Sequence, residues 1–286
     1  WRPHNVNEKF YGPTRLRTAL VHSRNLVSIR LLQAIGLDYA INYLHRFGFS
    51  NSQLPKTLTL ALGACDINPL QLAMGYAVFA NGGYQVKPFL IASVAKENDG
   101  VIYQHHPLTV CRDCSANDEP VANTLPAPQM ISPQNAYLIT NVMQDVIQNG
   151  TGRKARELNR MDIAGKTGTT NKQMDAWFSG FNSNIVTTVW MGFDAPKSLR
   201  EFAAQTALPI WIDFMREALK GTKDTITPQP ANIVNVKIDP RTGLLAAPDQ
   251  KDAVFEIFRE KDVPTEMAGH NAQNHDIEDS AESQLY

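Results

Sequence analysis

Between residues 161 and 192 three short apolar runs alternate with polar insertions, a pattern that commits this stretch to an antiparallel sheet. Met161-Asp162-Ile163-Ala164 leads into Gly165-Lys166-Thr167-Gly168-Thr169-Thr170. Asp175-Ala176-Trp177-Phe178-Ser179-Gly180-Phe181 comes next, then Ile185-Val186-Thr187-Thr188-Val189-Trp190-Met191-Gly192. β-Branched and aromatic residues favour strands, and Asn182-Ser183-Asn184 supplies a polar turn, so a meander is expected. The Lys-Thr-Gly-Thr run suits its edge facing a bound acidic peptide. Lys166 offers a compact positive charge, Thr167 and Thr169 hydroxyls for a carboxylate, and Gly168 room for a substrate backbone pairing with the edge. A solvated edge that only discourages aggregation has the same composition.

The first third of the chain reads as helical. Apolar spacing predicts helices over 14–21 and 26–35, the second ending at Gly36, and a third capped by Asp38 that runs to about Gly48. His22-Ser23-Arg24-Asn25 is a polar joint between the first two, where Ser23 or Asn25 can satisfy free amides as a cap. Asn68-Pro69 opens a helix over 70–80, closed by Asn81-Gly82-Gly83. Residues 86–94 and 101–103 read as strands around the Asn98-Asp99-Gly100 turn. Residues 104–131 form a long Pro-rich loop, and Ser132-Pro133 starts a helix that lasts to Gly150. A last helix spans 206–219, followed by strands at 233–238 and 255–258. Residues 1–265 are expected to form one partial domain; 266–286, acidic and nearly devoid of aromatics, are expected to be a disordered tail.

Composition narrows the function classes. With 286 residues, 43% of them hydrophobic, the chain can bury a large core. A net charge of -1 provides no global basic surface, so no nucleic-acid partner is expected. No apolar run approaches the roughly 20 residues that span a bilayer. The chain opens on Trp1 without a signal-peptide pattern, and the expectation is that this end is a cut with any membrane anchor upstream. Cys111 and Cys114 are a candidate disulfide, but a redox pair or half a zinc site with His105 and His106 fits the spacing too. Cys65 reads as a small core residue. Neither a cofactor nor a metal is expected.

Strand-borne Lys-Thr-Gly downstream of helix-borne Ser-x-Asn is a known motif set of serine acyl-transfer enzymes. Ser23-Arg24-Asn25 and Lys166-Thr167-Gly168-Thr169 fit it in order and setting. Tyr11-Gly12-Pro13-Thr14-Arg15-Leu16-Arg17-Thr18-Ala19-Leu20, the run from Leu70 to Tyr84, Gly150-Thr151-Gly152 and Asp175-Ala176-Trp177-Phe178 extend the likeness. Together, from Trp1 to about Pro264, they resemble the transpeptidase domain of class A penicillin-binding proteins, the 1A type in particular.

The resemblance implies an α+β, penicillin-binding (serine transpeptidase-like) fold: an antiparallel sheet packed by helices, with an all-helical part. It implies that Ser23 shuttles a proton, that Asn25 holds the donor peptide's amide, and that Lys166 sets the local field. Thr167 and Thr169 would bind the terminal carboxylate beside Gly168, and the Thr169 N–H would form half of an oxyanion hole. The implied partners are peptidoglycan stem peptides and β-lactams. The implied setting is the periplasmic face of the bacterial inner membrane, with a glycosyltransferase domain upstream and membrane contact only through that region.

One departure qualifies this. In the family the acylated serine lies in a Ser-x-x-Lys motif upstream of Ser-x-Asn, and the 22 residues before Ser23 hold no such motif. The one match, Ser93-Val94-Ala95-Lys96, has the wrong order and a strand setting, where positions i and i+3 face opposite ways. The expectation is therefore the C-terminal part of a transpeptidase domain, N-terminally truncated. The alternative is a non-catalytic remnant lacking its nucleophile.

Overall fold

The computed structural model describes residues 2–110 and 125–269. Cys111, Cys114 and the tail beyond Gly269 lie outside the described residues.

The helical part opens with α1 (Leu16–Val21), α2 (Asn25–Ile35) and α3 (Leu37–Leu44), the last extended by a 3-10 turn to Phe47. Leu32, Ile41, Leu54 and Leu60 form its core, with Cys65 packed at the margin. Asp38 does not cap α3. The cap position is Gly36, whose φ of 85° turns the chain sharply, and Asp38 falls in the first turn, 2.7 Å from Lys56 Nζ. Helix α4 (Pro69–Ala80) starts at a capping box: Asn68 Oδ1 accepts the Gln71 N–H at 2.9 Å and Gln71 Oε1 accepts the Asn68 N–H at 3.3 Å.

Strands β1 (Ser93–Lys96) and β2 (Gly100–Gln104) form the expected hairpin, but β1 begins seven residues later than expected. Pro88 lacks the N–H that a ladder needs, which disfavours a strand through 86–92. Two short strands, β3 (Leu108–Thr109) and β4 (Leu125–Pro126), pair in parallel. Helix α5 (Pro133–Asn149) follows, with Ser132 Oγ accepting the Asn135 N–H at 3.2 Å.

The meander forms as the residue pattern demands. Strands β5 (Ala164–Thr169), β6 (Ala176–Phe181) and β7 (Val186–Met191) pair in that order, leaving β5 at the edge. Asn182 Oδ1 accepts the N–H groups of Asn184 and Ile185 and so closes the β6–β7 turn. Side chains alternate between faces. Phe178 and Ala176 pack under α6 (Ala207–Ala218) with Trp211, Leu208, Ile212 and Met215. Phe181 and Ala164 lie on the opposite face, against Met143 of α5 and Tyr76 and Phe79 of α4. Gly180 is obligatory here, because a Cβ would stand 2.6 Å from Trp211 Cζ2.

The chain closes on β8 (Ile233–Ile238) and β9 (Val254–Arg259), an antiparallel pair. Glu256 on β9 meets Arg15 at 3.1 Å and Arg17 at 2.6 Å, and Arg17 reaches Asn141 of α5 at 2.7 Å. These charge-assisted bonds tie β9 to the helix that precedes Ser23. The docked chain extends past the expected tail boundary at 266: the Leu245 N–H donates to Glu266 O and the Ala268 N–H to Leu245 O. Backbone pairing of this kind is invisible to composition.

Candidate active site

Ser23 and Lys166, 143 positions apart, meet in space: Lys166 Nζ donates to Ser23 Oγ. Two local decisions bring this about.

The first is the end of α1. The Ser23 N–H donates to Leu20 O at 3.2 Å and the Arg24 N–H to Ala19 O at 2.8 Å, the paired bonds of a Schellman cap. Ser23 occupies the left-handed position of that cap, with φ 53°. Glycine is the usual residue there because a Cβ is disfavoured, so serine costs about 1 kcal/mol. The expectation that Ser23 or Asn25 caps the following helix with its side chain is corrected: neither side chain accepts an amide of α2, and the joint is held by backbone bonds of α1. The Ser23 hydroxyl is thereby left for Lys166.

The second is the period of β5. Lys166 pairs with Ser179 and faces the helical side, whereas Thr167 and Thr169 pair with Phe178 and Ala176 on the α6 side. Lys166 Nζ also donates to Thr167 O at 3.0 Å. Among the described residues no carboxylate pairs with it. Desolvation then pulls the ammonium down from its ordinary 10.5 to about 8. An amine poised there, bonded to a hydroxyl, can give or take a proton near neutral pH.

This shift carries a pH dependence with a definite sign. Between about 8 and 10.5 the unfolded chain holds a proton that the folded chain has released, so stability rises with pH across that window, and below it the full desolvation cost is present. Urea unfolding at pH 7.5 and 9.5 should therefore show wild type gaining about 1–2 kcal/mol relative to Lys166→Met. An unchanged difference between the two pH values would contradict the shift.

The other expected site residues are placed as follows. Asn25 is the first residue of α2, and its Nδ2 donates to His4 O at 2.9 Å, not to Ser23 or Lys166. Thr167 Oγ1 shares a 2.7 Å hydrogen bond with Thr151 Oγ1. Thr169 Oγ1 accepts the Ala203 N–H at 3.1 Å, which moors the segment before α6 to the edge strand. Gly168 lies between them on the open edge, its added Cβ meeting Trp177 Cβ at 3.3 Å. Ser93 and Lys96 sit in the exposed β1–β2 hairpin, and Lys96 pairs with Asp99. They do not form a helix-start pair.

His4 and Asn5 carry no signal in the sequence, and Tyr11 and Thr151 stand there only within the stretches that carry the family likeness, with no contact to the site implied. Asn5 Oδ1 accepts the Leu26 N–H at 3.3 Å, and the Arg24 guanidinium lies over the Tyr11 ring, so the segment before α1 wraps the Ser-x-Asn joint. No local pattern announces such contacts. Among the described residues no group of three or more His, Cys, Asp or Glu side chains is arranged to hold a metal ion.

Comparisons with known proteins converge. The family model described as the penicillin binding protein transpeptidase domain matches residues 1–210. Penicillin-binding protein 1A of Pseudomonas aeruginosa is 42% identical over 92% of this chain and 36% of its own length. The chain thus spans little more than a third of that relative. The crystal structure of penicillin-binding protein 1A from Haemophilus influenzae superposes with a TM-score of 0.85 at 34% identity, over 94% of this chain and 43% of that one. Penicillin-binding protein A from M. tuberculosis, solved as an imipenem acyl-enzyme complex, shares the fold at a TM-score of 0.57 and 20% identity.

Proposed function

The chain belongs to the penicillin-binding protein transpeptidase family, and from that premise we propose that it forms two walls of a serine acyl-transfer site that cross-links peptidoglycan. The observation that carries this reading is the hydrogen bond from Lys166 Nζ to Ser23 Oγ at the rim of an open edge strand.

In this reading the acylated serine comes from a Ser-x-x-Lys segment upstream of these 286 residues, in a longer protein that also carries a glycosyltransferase domain and a membrane anchor. That serine attacks the carbonyl of the penultimate D-alanine of a stem peptide. The amide C–N bond breaks, Ser23 Oγ relays the proton to the departing D-alanine amine, and the peptide remains as an ester. An acceptor amine then attacks the ester, and the serine regains its proton through the same relay. Lys166 holds the Ser23 hydroxyl in line and supplies positive potential for the substrate carboxylate. Thr167, Thr169 and the open β5 edge receive the peptide, with the Thr169 N–H as half of the oxyanion hole. Asn25 keeps its Oδ1 for a peptide N–H. β-Lactams enter as mimics of the D-Ala-D-Ala terminus. Among the described residues no helix is long and apolar enough to cross a membrane, and placement at the periplasmic face of the inner membrane belongs to the same proposal.

The test is covalent labelling by a fluorescent penicillin. The 286-residue chain should stay unlabelled, and a chain extended upstream through Ser-x-x-Lys should be labelled on the upstream serine. Label on the short chain, at Ser93 or elsewhere, would sink the reading.

A further inference from the structure

Two observations converge on one residue outside the Ser-x-Asn and Lys-Thr-Gly motifs. Thr151 sits just beyond α5, in the Gly150-Thr151-Gly152 turn. Its backbone N–H donates to Val21 O at 3.3 Å, at the end of α1 and two residues before Ser23. Its hydroxyl bonds Thr167 Oγ1 at 2.7 Å, one residue after Lys166. It therefore touches both sides of the seam across which Ser23 and Lys166 meet.

The approach is built into the turn. The N–H groups of Gly150 and Gly152 both donate to Val146 O, at 3.1 and 3.0 Å, so the turn is folded back on the end of α5. A Cβ at Gly150 would lie 2.4 Å from Val21 O and 2.8 Å from Val146 O, so only glycine lets α1 and α5 come this close. Ser23 itself sits in a conformation unfavourable for serine, which persists only where its surroundings hold it.

We propose that Thr151 is a positioning residue of the acyl-transfer site: its N–H fixes the end of α1 that presents Ser23, and its hydroxyl fixes Thr167 and with it Lys166. The inference rests on the reading under Proposed function. Removing the hydroxyl leaves the α1 side of the clamp in place and frees the β5 side, so the Lys166–Ser23 bond loses its register while the fold remains. Misplacements of this size are costly to acyl transfer because reactivity depends on alignment.

Thr151→Val isolates the hydroxyl, since it keeps the backbone N–H and nearly the same volume; Thr151→Ser restores it. In the upstream-extended protein, Thr151→Val should slow fluorescent-penicillin acylation roughly 10- to 100-fold and displace its pH profile. Thr151→Ser should stay near wild type, with all three melting together. A Thr151→Val protein that acylates like wild type, or a loss that serine does not rescue, overturns the proposal. The 286-residue chain gives a second readout, NMR titration of the Lys166 amine, whose midpoint should move in Thr151→Val and return in Thr151→Ser. Should wild type resist labelling altogether, the acyl-transfer reading fails and this titration decides on Thr151 alone: an unmoved midpoint overturns the clamp, a moved one supports it.

Discussion

Lys166→Ala should lower the acylation rate of the upstream-extended protein by roughly 10²- to 10⁴-fold, the range expected when a positioned proton-transfer group is removed. Among the described residues the Ser23 hydroxyl has one side-chain hydrogen-bond partner, the Lys166 ammonium, and without it the hydroxyl loses the bond that orients it for the proposed relay. Folding should not suffer, because the ammonium is desolvated and no carboxylate of the described residues depends on it. The two measurements are stopped-time labelling with fluorescent penicillin and the melting temperature. Labelling within about threefold of wild type would show that Lys166 lies outside the proton path, since that is far below the loss general acid–base groups cause. A collapse of the melting temperature would mark Lys166 as structural instead.

Trp211→Ala should cost about 3–5 kcal/mol of stability, the range for removing a large buried aromatic side chain. Trp211 is fully buried, packs against Phe178 with the rings tilted and their centroids 4.9 Å apart, covers Gly180, and donates from Nε1 to Thr187 O at 3.1 Å. Truncation opens a cavity between sheet and helix and orphans a carbonyl acceptor, so transfer and hydrogen-bond losses add. Urea unfolding should show a lower midpoint with an unchanged slope. A loss below about 1 kcal/mol would mean that the α6 layer repacks freely, contrary to a core this tightly filled. Because β5 is paired to β6, which lies on Trp211, the substitution should also blunt acylation; Lys166→Ala should do so without melting the fold. The pair of variants separates chemistry from scaffold.

How far the residues alone announced this structure depends on the range of the interaction. The helix start at Asn68-Pro69, the Ser132-Pro133 start and the β6–β7 turn at Asn182 are settled within three residues, and each is visible in the sequence, whereas the return bond between Gln71 and Asn68 is not announced by that reading. Apolar content alone extends the strand back to 86, whereas Pro88 lacks the ladder donor and β1 starts at Ser93. Asp38 was misplaced by two residues because a glycine at positive φ, not an acidic side chain, begins α3.

At the site the same division holds. Residue types and their order determined that a cation, two hydroxyls and a glycine would share one edge strand, and that a serine joint would separate two helices, since strand alternation and helix punctuation are local properties of the backbone. Whether Ser23 and Lys166 would meet, that Asn25 would reach back to His4, and that Thr151 would bridge α1 and β5 were decided only by tertiary packing. Those contacts link residues from 16 to 143 positions apart, and their geometry follows from how α1, α5 and the sheet bury their shared apolar faces, which no local pattern encodes.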